Sequence, residues 1–163
     1  MRRQRKVYRI LIVDDSEDDC FFIRRVVARF DVFEIVAEVR DGQAAIDYLS
    51  GREKFAQREV YPMPDLVLLD LKMPIKDGYE VLAWLRTQAS FPRLTVVVLS
   101  GSALQTDVGA SLALGAHGYW SKSASPERQI LIASEIEELL DRRNGAIAAQ
   151  SRLPSPGLAL SPG

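Results

Sequence analysis

The chain holds one cysteine, Cys20, so no disulfide can form within it. Set in a helical apolar pattern, Cys20 reads as a small buried hydrophobe rather than a reactive thiol. No apolar run approaches the roughly 20 residues of a membrane-spanning helix, and the expectation is a cytoplasmic protein with no membrane partner. Formal net charge is only -1, too little for the broad basic field that draws nucleic acid, so no direct nucleic-acid contact is expected. The one basic concentration, Arg2, Arg3, Arg5 and Lys6, is not followed by an apolar stretch of signal-peptide length. Residues 1–7 therefore read as a solvated tail. No glycine-rich phosphate loop follows the first apolar run; acids stand there instead, which would repel a nucleotide phosphate unless a cation intervened.

What is present is the composition of a core-forming domain, 47% hydrophobic and 26% charged over 163 residues. One domain of ordinary size fills that length with about twenty residues to spare for tails, and a second does not fit.

Tyr8 to Val13 is a short apolar run that stops abruptly at Asp14, Asp15 and Ser16, as a strand buried on both faces would. Ser16 with Asp19 resembles a capping box, and Cys20, Ile23, Val27 and Phe30 recur at helical spacing, which predicts a helix over Glu17 to Phe30. The unit repeats: a strand at Phe33 to Val39, a helix at Gln43 to Leu49, and a strand at Asp65 to Leu69 that ends at Asp70. Ser50 to Pro64 reads as a polar insert. A helix from Tyr79 to about Ser90 and a β-branched strand from Leu94 to Leu99, closing on Ser100, come next. Ala103 to Leu114 is a weaker helix ended by Gly115, then Gly118 to Ser121 is a strand ending at Lys122. Ser125 and Pro126 open a last helix. Pro154, Pro156 and Gly157 lead to the expectation that 144–163 is a flexible tail and that the domain covers 8–143.

Five strands alternating with five helices call for right-handed crossovers and a doubly wound parallel sheet of α/β class. Ligands of such sheets sit beyond the carboxyl ends of the strands. Asp14 and Asp15, Asp70, Ser100 and Lys122 each follow a strand directly, so they should meet at one rim. Each alone has a plain reading as a cap, a turn opener or a loop charge. Together, three carboxylates, a hydroxyl and an ammonium are equipment for a hard cation and a transferred phosphoryl group.

The segments Leu11-Ile-Val-Asp14-Asp15, Asp65-Leu-Val-Leu-Leu-Asp70-Leu-Lys-Met-Pro74, Asp77-Gly78, Leu99-Ser100 and Gly115-Ala-His-Gly-Tyr119-Trp-Ser-Lys122 resemble the receiver domain of two-component response regulators, in register from about Tyr8 to Arg142. The stand-alone receivers associated with phytochrome-type histidine kinases are the most similar group. The resemblance implies a flavodoxin-like (β/α)5 fold with strand order 2-1-3-4-5. It implies that Asp70 is the phosphoacceptor, and that Asp14, Asp15, Asp70 and the Lys72 backbone carbonyl hold Mg2+, with Mn2+ as a substitute. Ser100 and Lys122 would bind phosphoryl oxygens, and Ser100 and Tyr119 would form the switch, simple core packing being the alternative for Tyr119. Implied partners are a sensor histidine kinase, phytochrome-type, or a histidine phosphotransfer domain, and a second copy in a homodimer. The resemblance implies a signalling protein rather than an enzyme, though one that catalyses its own phosphotransfer and dephosphorylation. Ser123 departs from the pattern, because receivers usually carry a cis proline after the lysine. That departure keeps open a phosphorylation-insensitive interaction module. A phosphoaspartyl hydrolase is a further alternative, but it would want an acid two residues beyond its nucleophile, where Lys72 stands.

Overall fold

The computed structural model describes residues 5–102, 104–122 and 125–150. The chain runs β1 (Tyr8–Val13), α1 (Glu17–Val27), β2 (Phe33–Val39), α2 (Gly42–Ser50), a 3-10 turn (Glu53–Ala56), β3 (Leu66–Leu69), α3 (Gly78–Arg86), β4 (Thr95–Ser100), α4 (Gln105–Ala113), β5 (Gly118–Ser121) and α5 (Pro126–Gln150). All pairings are parallel, in the order β2-β1-β3-β4-β5. The expected doubly wound sheet and strand order are both present.

Period-two alternation sorts the strand side chains onto two faces. Leu11, Val13, Val67, Leu69, Val96 and Val98 pack with Ala45 and Leu49 of α2 and Val81 and Leu82 of α3. On the other face Ile10, Ile12, Leu66, Leu68 and Val97 meet Cys20 and Val27 of α1 and Ile132, Ile136 and Leu140 of α5. Burial on both faces is why these strands read as unbroken apolar runs. Cys20 is fully buried, as its place in the pattern requires.

Three helices each begin on a side-chain cap. Ser16 Oγ accepts from Asp19 N–H in α1, and Asp41 accepts from Ala44 N–H in α2. Asp77 and Glu80 cap each other's backbone N–H groups in α3. α1 ends at Val27, one turn before the expected Phe30, and α3 ends at Arg86 rather than near Ser90.

Two expectations need correction. The expected tail 144–163 is helical over its first seven residues, because α5 continues to Gln150. The expected boundary at Arg143 extended the influence of Pro154, Pro156 and Gly157 too far back along the chain. Ala146 to Ala149 favour helix, the first proline is Pro154, and Asn144 is anchored by donating to the Tyr8 hydroxyl and the Leu140 carbonyl. Residues 151–163 lie outside the described residues, as do Arg2 and Arg3 of the basic tail and Ser123 with its peptide bond to Lys122. The Ser50 to Pro64 insert, in turn, is a packed strap. Phe55 is buried against Tyr48, ring centroids 5.0 Å apart, and Tyr61 stands edge-on to both. Arg58 donates to the Tyr48 and Leu49 carbonyls, satisfying the end of α2 that no further turn can reach.

Candidate acceptor site and metal centre

Parallel pairing in register brings the strand ends together. Val13 lies opposite Leu69, Leu69 opposite Val98, and Ser100 opposite Ser121. The next residues follow that lead: Asp14 N–H donates to Val39 O, Asp70 N–H to Val13 O, and Lys122 N–H to Ser100 O. Asp14, Asp70 and Ser100 are buried and Asp15 is exposed.

Carboxylate oxygens of Asp14, Asp15 and Asp70 all lie within 4.8 Å of one another. Lys122 Nζ reaches into the group, 2.6 Å from Asp14, 2.9 Å from Asp19 and 3.3 Å from Asp70. Three carboxylates, those of Asp14, Asp19 and Asp70, thus share one ammonium, with Asp15 beside them, and negative charge is in surplus. Burial raises the Asp70 carboxyl above its ordinary range, the Lys122 charge pulling it back and Asp14 adding to the rise. Burial lowers Lys122, but hydrogen bonds to Asp14 and Asp19 and the charge of Asp70 outweigh it and hold the amine above its ordinary value. The surplus negative charge, the all-oxygen donor set and the one exposed member fit a hard divalent cation entering from solvent.

A cavity of about 360 Å³ opens on the cluster, with Asp70, Lys72, Ser100, Ser102, Leu104 and Lys122 in its wall. It brings Lys72 and Ser100 beside the acids. Ser100 Oγ accepts from Ser102 N–H. Tyr119 is half-buried against the core and donates to the Ser102 carbonyl at 2.8 Å. Ser102 also bonds through its hydroxyl to Asp107, which accepts from Tyr79 OH at 2.6 Å. The loop after β4 is therefore strung between Tyr119 and Tyr79, and Asp107 is held below the ordinary carboxylate range by those two donors.

The sequence-predicted residues Asp14, Asp15, Asp70, Lys72, Ser100 and Lys122 share this rim, with Tyr119 one loop away. Sequence reasoning missed Asp19, Ser102, Asp107 and the packing role of Gly78. Asp19 had no clear signal of its own, because as the third residue of α1 it reads as an ordinary acid of a first helical turn. Gly78 lies so close to Asp70 that a Cβ built on it would stand 2.3 Å from the Asp70 carbonyl oxygen.

A parallel sheet of this order, carrying an acid trio, a hydroxyl and an ammonium beyond its strand ends, defines a receiver-type signalling protein. Residues 10–134 match the response regulator receiver domain, and the chain belongs to that family. It is 38% identical to response regulator Rcp1 of Synechocystis sp. over 128 residues, 78% of this chain and 85% of that protein. The crystal structure of the phosphorylated cyanobacterial phytochrome response regulator RcpA superposes with a TM-score of 0.72 at 37% identity, covering 82% of this chain and 94% of the other. The Mn(2+)-bound form of Rcp1 gives a TM-score of 0.68 at 35% identity, covering 80% and 91%. The chain is thus a response regulator receiver similar to phytochrome-associated stand-alone regulators. Receiver domains bind a divalent metal at such an acidic pocket, and membership of the family implies a phosphodonor histidine kinase. Among the described residues no helix is long and apolar enough to cross a membrane.

Proposed function

We propose that Asp70 accepts a phosphoryl group from a phosphohistidine of a phytochrome-type sensor kinase or a histidine phosphotransfer domain in the cytoplasm. The carrying observation is the Asp70 carboxylate, buried yet open to the cavity, inside the acid trio and 3.3 Å from Lys122. In the transfer the P–N bond to the donor imidazole breaks and a P–O bond to Asp70 forms. Asp70 Oδ1 accepts from Leu71 N–H at 2.9 Å and lies 3.3 Å from Lys122 Nζ, which fixes the carboxylate at the cavity. Asp14, Asp15, Asp70 and the Lys72 carbonyl would hold Mg2+, or Mn2+ in its place, and the cation would neutralise charge on the acids and the incoming phosphoryl oxygens. Lys122 and Ser100 then hold the transferred group.

Phosphorylation adds roughly -1.5 to -2 charge at Asp70. Drawing Ser100 toward that charge pulls on Ser102, whose N–H it accepts, and on Tyr119, which donates to Ser102. That chain of contacts supports a switch through Ser100 and Tyr119, read out by partner contacts or by a homodimer. The test is phosphorylation by acetyl phosphate: Mg2+ or Mn2+ should be required, and full phosphorylation in excess EDTA would sink the metal-dependent reading.

A further inference from the structure

Asp19 stands outside the acid trio, yet it is tied to the site's ammonium. Its carboxylate lies 2.9 Å from Lys122 Nζ, nearer than that of Asp70 at 3.3 Å. Helix α1 aims it there. Ser16 Oγ accepts from Asp19 N–H at 3.2 Å and fixes the first turn, which leaves the Asp19 side chain unused by the cap. The bond joins residues 103 apart in sequence.

A cation at Asp14, Asp15 and Asp70 and the ammonium of Lys122 compete for the same oxygens. Asp14 Oδ1 already accepts from Ser16 N–H, and Oδ2 faces Lys122 at 2.6 Å. A cation that takes Asp14 must loosen that contact, and it also repels the ammonium. Lysine carries three N–H donors, and Asp19 offers one of them a carboxylate outside the trio. Asp19 and Lys122 share the cavity wall with Asp70, so an ammonium withdrawn to Asp19 still stands where phosphoryl oxygens would arrive.

We infer that Asp19 is a positioning residue whose carboxylate keeps Lys122 at the wall of the acceptor cavity when a cation takes Asp14 from it, so that cation and ammonium occupy the site together. The inference rests on the acceptor reading above.

Calorimetric titration of the full chain with Mg2+ tests it. Asp19→Asn keeps the backbone N–H that Ser16 caps, so the helix start is retained. In this variant Asp14 and Asp70 are the only carboxylates left to the ammonium among its three observed partners, and Mg2+ binding should weaken about 3- to 10-fold, a factor of ten being about 1.4 kcal/mol. Asp18→Asn removes the same charge from the same exposed turn and should change affinity less than about twofold. Asp19→Glu should restore most of the loss. In a Lys122→Met background Asp19→Asn should have no effect, since the coupling runs through the ammonium. Equal effects of the Asp18 and Asp19 variants, or the same weakening without the lysine, would overturn the inference while leaving the acceptor reading intact. A wild-type protein that neither binds Mg2+ nor accepts phosphate from acetyl phosphate would overturn both.

Discussion

Gly78→Ala is a small change placed where the structure has no room for it. A Cβ at this position would stand 2.3 Å from the Asp70 carbonyl oxygen, 2.9 Å from Leu71 Cα and 3.1 Å from Asp70 C, against an ordinary contact of 3.4 Å or more. Every one of those atoms is backbone, so no rotamer relieves the clash. The first turn of α3 must move about 1 Å from the end of β3, an overpacking strain of about 1–3 kcal/mol. The same movement stretches the Gly78 N–H to Leu71 carbonyl bond, now 2.9 Å, which contributes about 1 kcal/mol. Alanine's better helix propensity returns less than the about 1 kcal/mol of a helix interior, because Gly78 is the first residue of α3. The net is a loss of about 2 kcal/mol, which leaves the chain folded but shifts the Asp70 backbone and with it the carboxylate facing Lys122. Urea denaturation measures the first effect and the rate of phosphorylation by acetyl phosphate the second. Gly109→Ala is the control, because its Cβ would meet nothing within 4 Å in α4, so it should be neutral or stabilising. A Gly78→Ala protein as stable and as readily phosphorylated as Gly109→Ala would refute the reasoning.

Asp70→Asn should be at least as stable as wild type in EDTA, since burial already disfavours the Asp70 charge; a clearly lower urea midpoint would contradict this. Lys122→Ala should accept some phosphate but lose the change at Tyr119, because one ordinary hydrogen bond falls short of the about 5.5 kcal/mol needed to move a population from 1:99 to 99:1. Tyrosine-ring NMR with and without a beryllofluoride mimic reads it, and an unchanged mimic-induced shift would reduce Lys122 to a loop charge. His117 gives a pH signature. Its Nδ1 accepts from Val96 N–H, and burial, with the Arg143 charge, pushes it down to about 4. The unfolded chain therefore protonates first, and stability present above pH 6.5 is lost as pH falls toward 4. After allowance for partial solvent exposure, wild type should lose about 1 kcal/mol more than His117→Asn between pH 7 and 5. Parallel losses would refute that assignment.

The site was legible because its main residues stand at or directly after the ends of strands, and parallel strands align their carboxyl ends. Asp14, Asp70, Ser100 and Lys122 needed only the strand boundaries to be placed. Packing that depends on distant partners was not legible. Nothing near Arg58 reveals that it caps α2 from within the insert, and nothing near Asn144 reveals that the Tyr8 hydroxyl helps carry α5 on to Gln150. Asp19 shows both sides. Its place in the first turn of α1 was legible, but the lysine it holds lies 103 residues further on.

The claim on which the rest depends is that Asp70 carries the phosphoryl group. Incubating the protein with acetyl phosphate and Mg2+, digesting it under acid and weighing the peptides tests that claim at the residue. The account predicts one base-labile phosphoryl mass on the peptide that contains Asp70, absent from Asp70→Asn. The same modification on another peptide, or equal stoichiometry in Asp70→Asn, would contradict it.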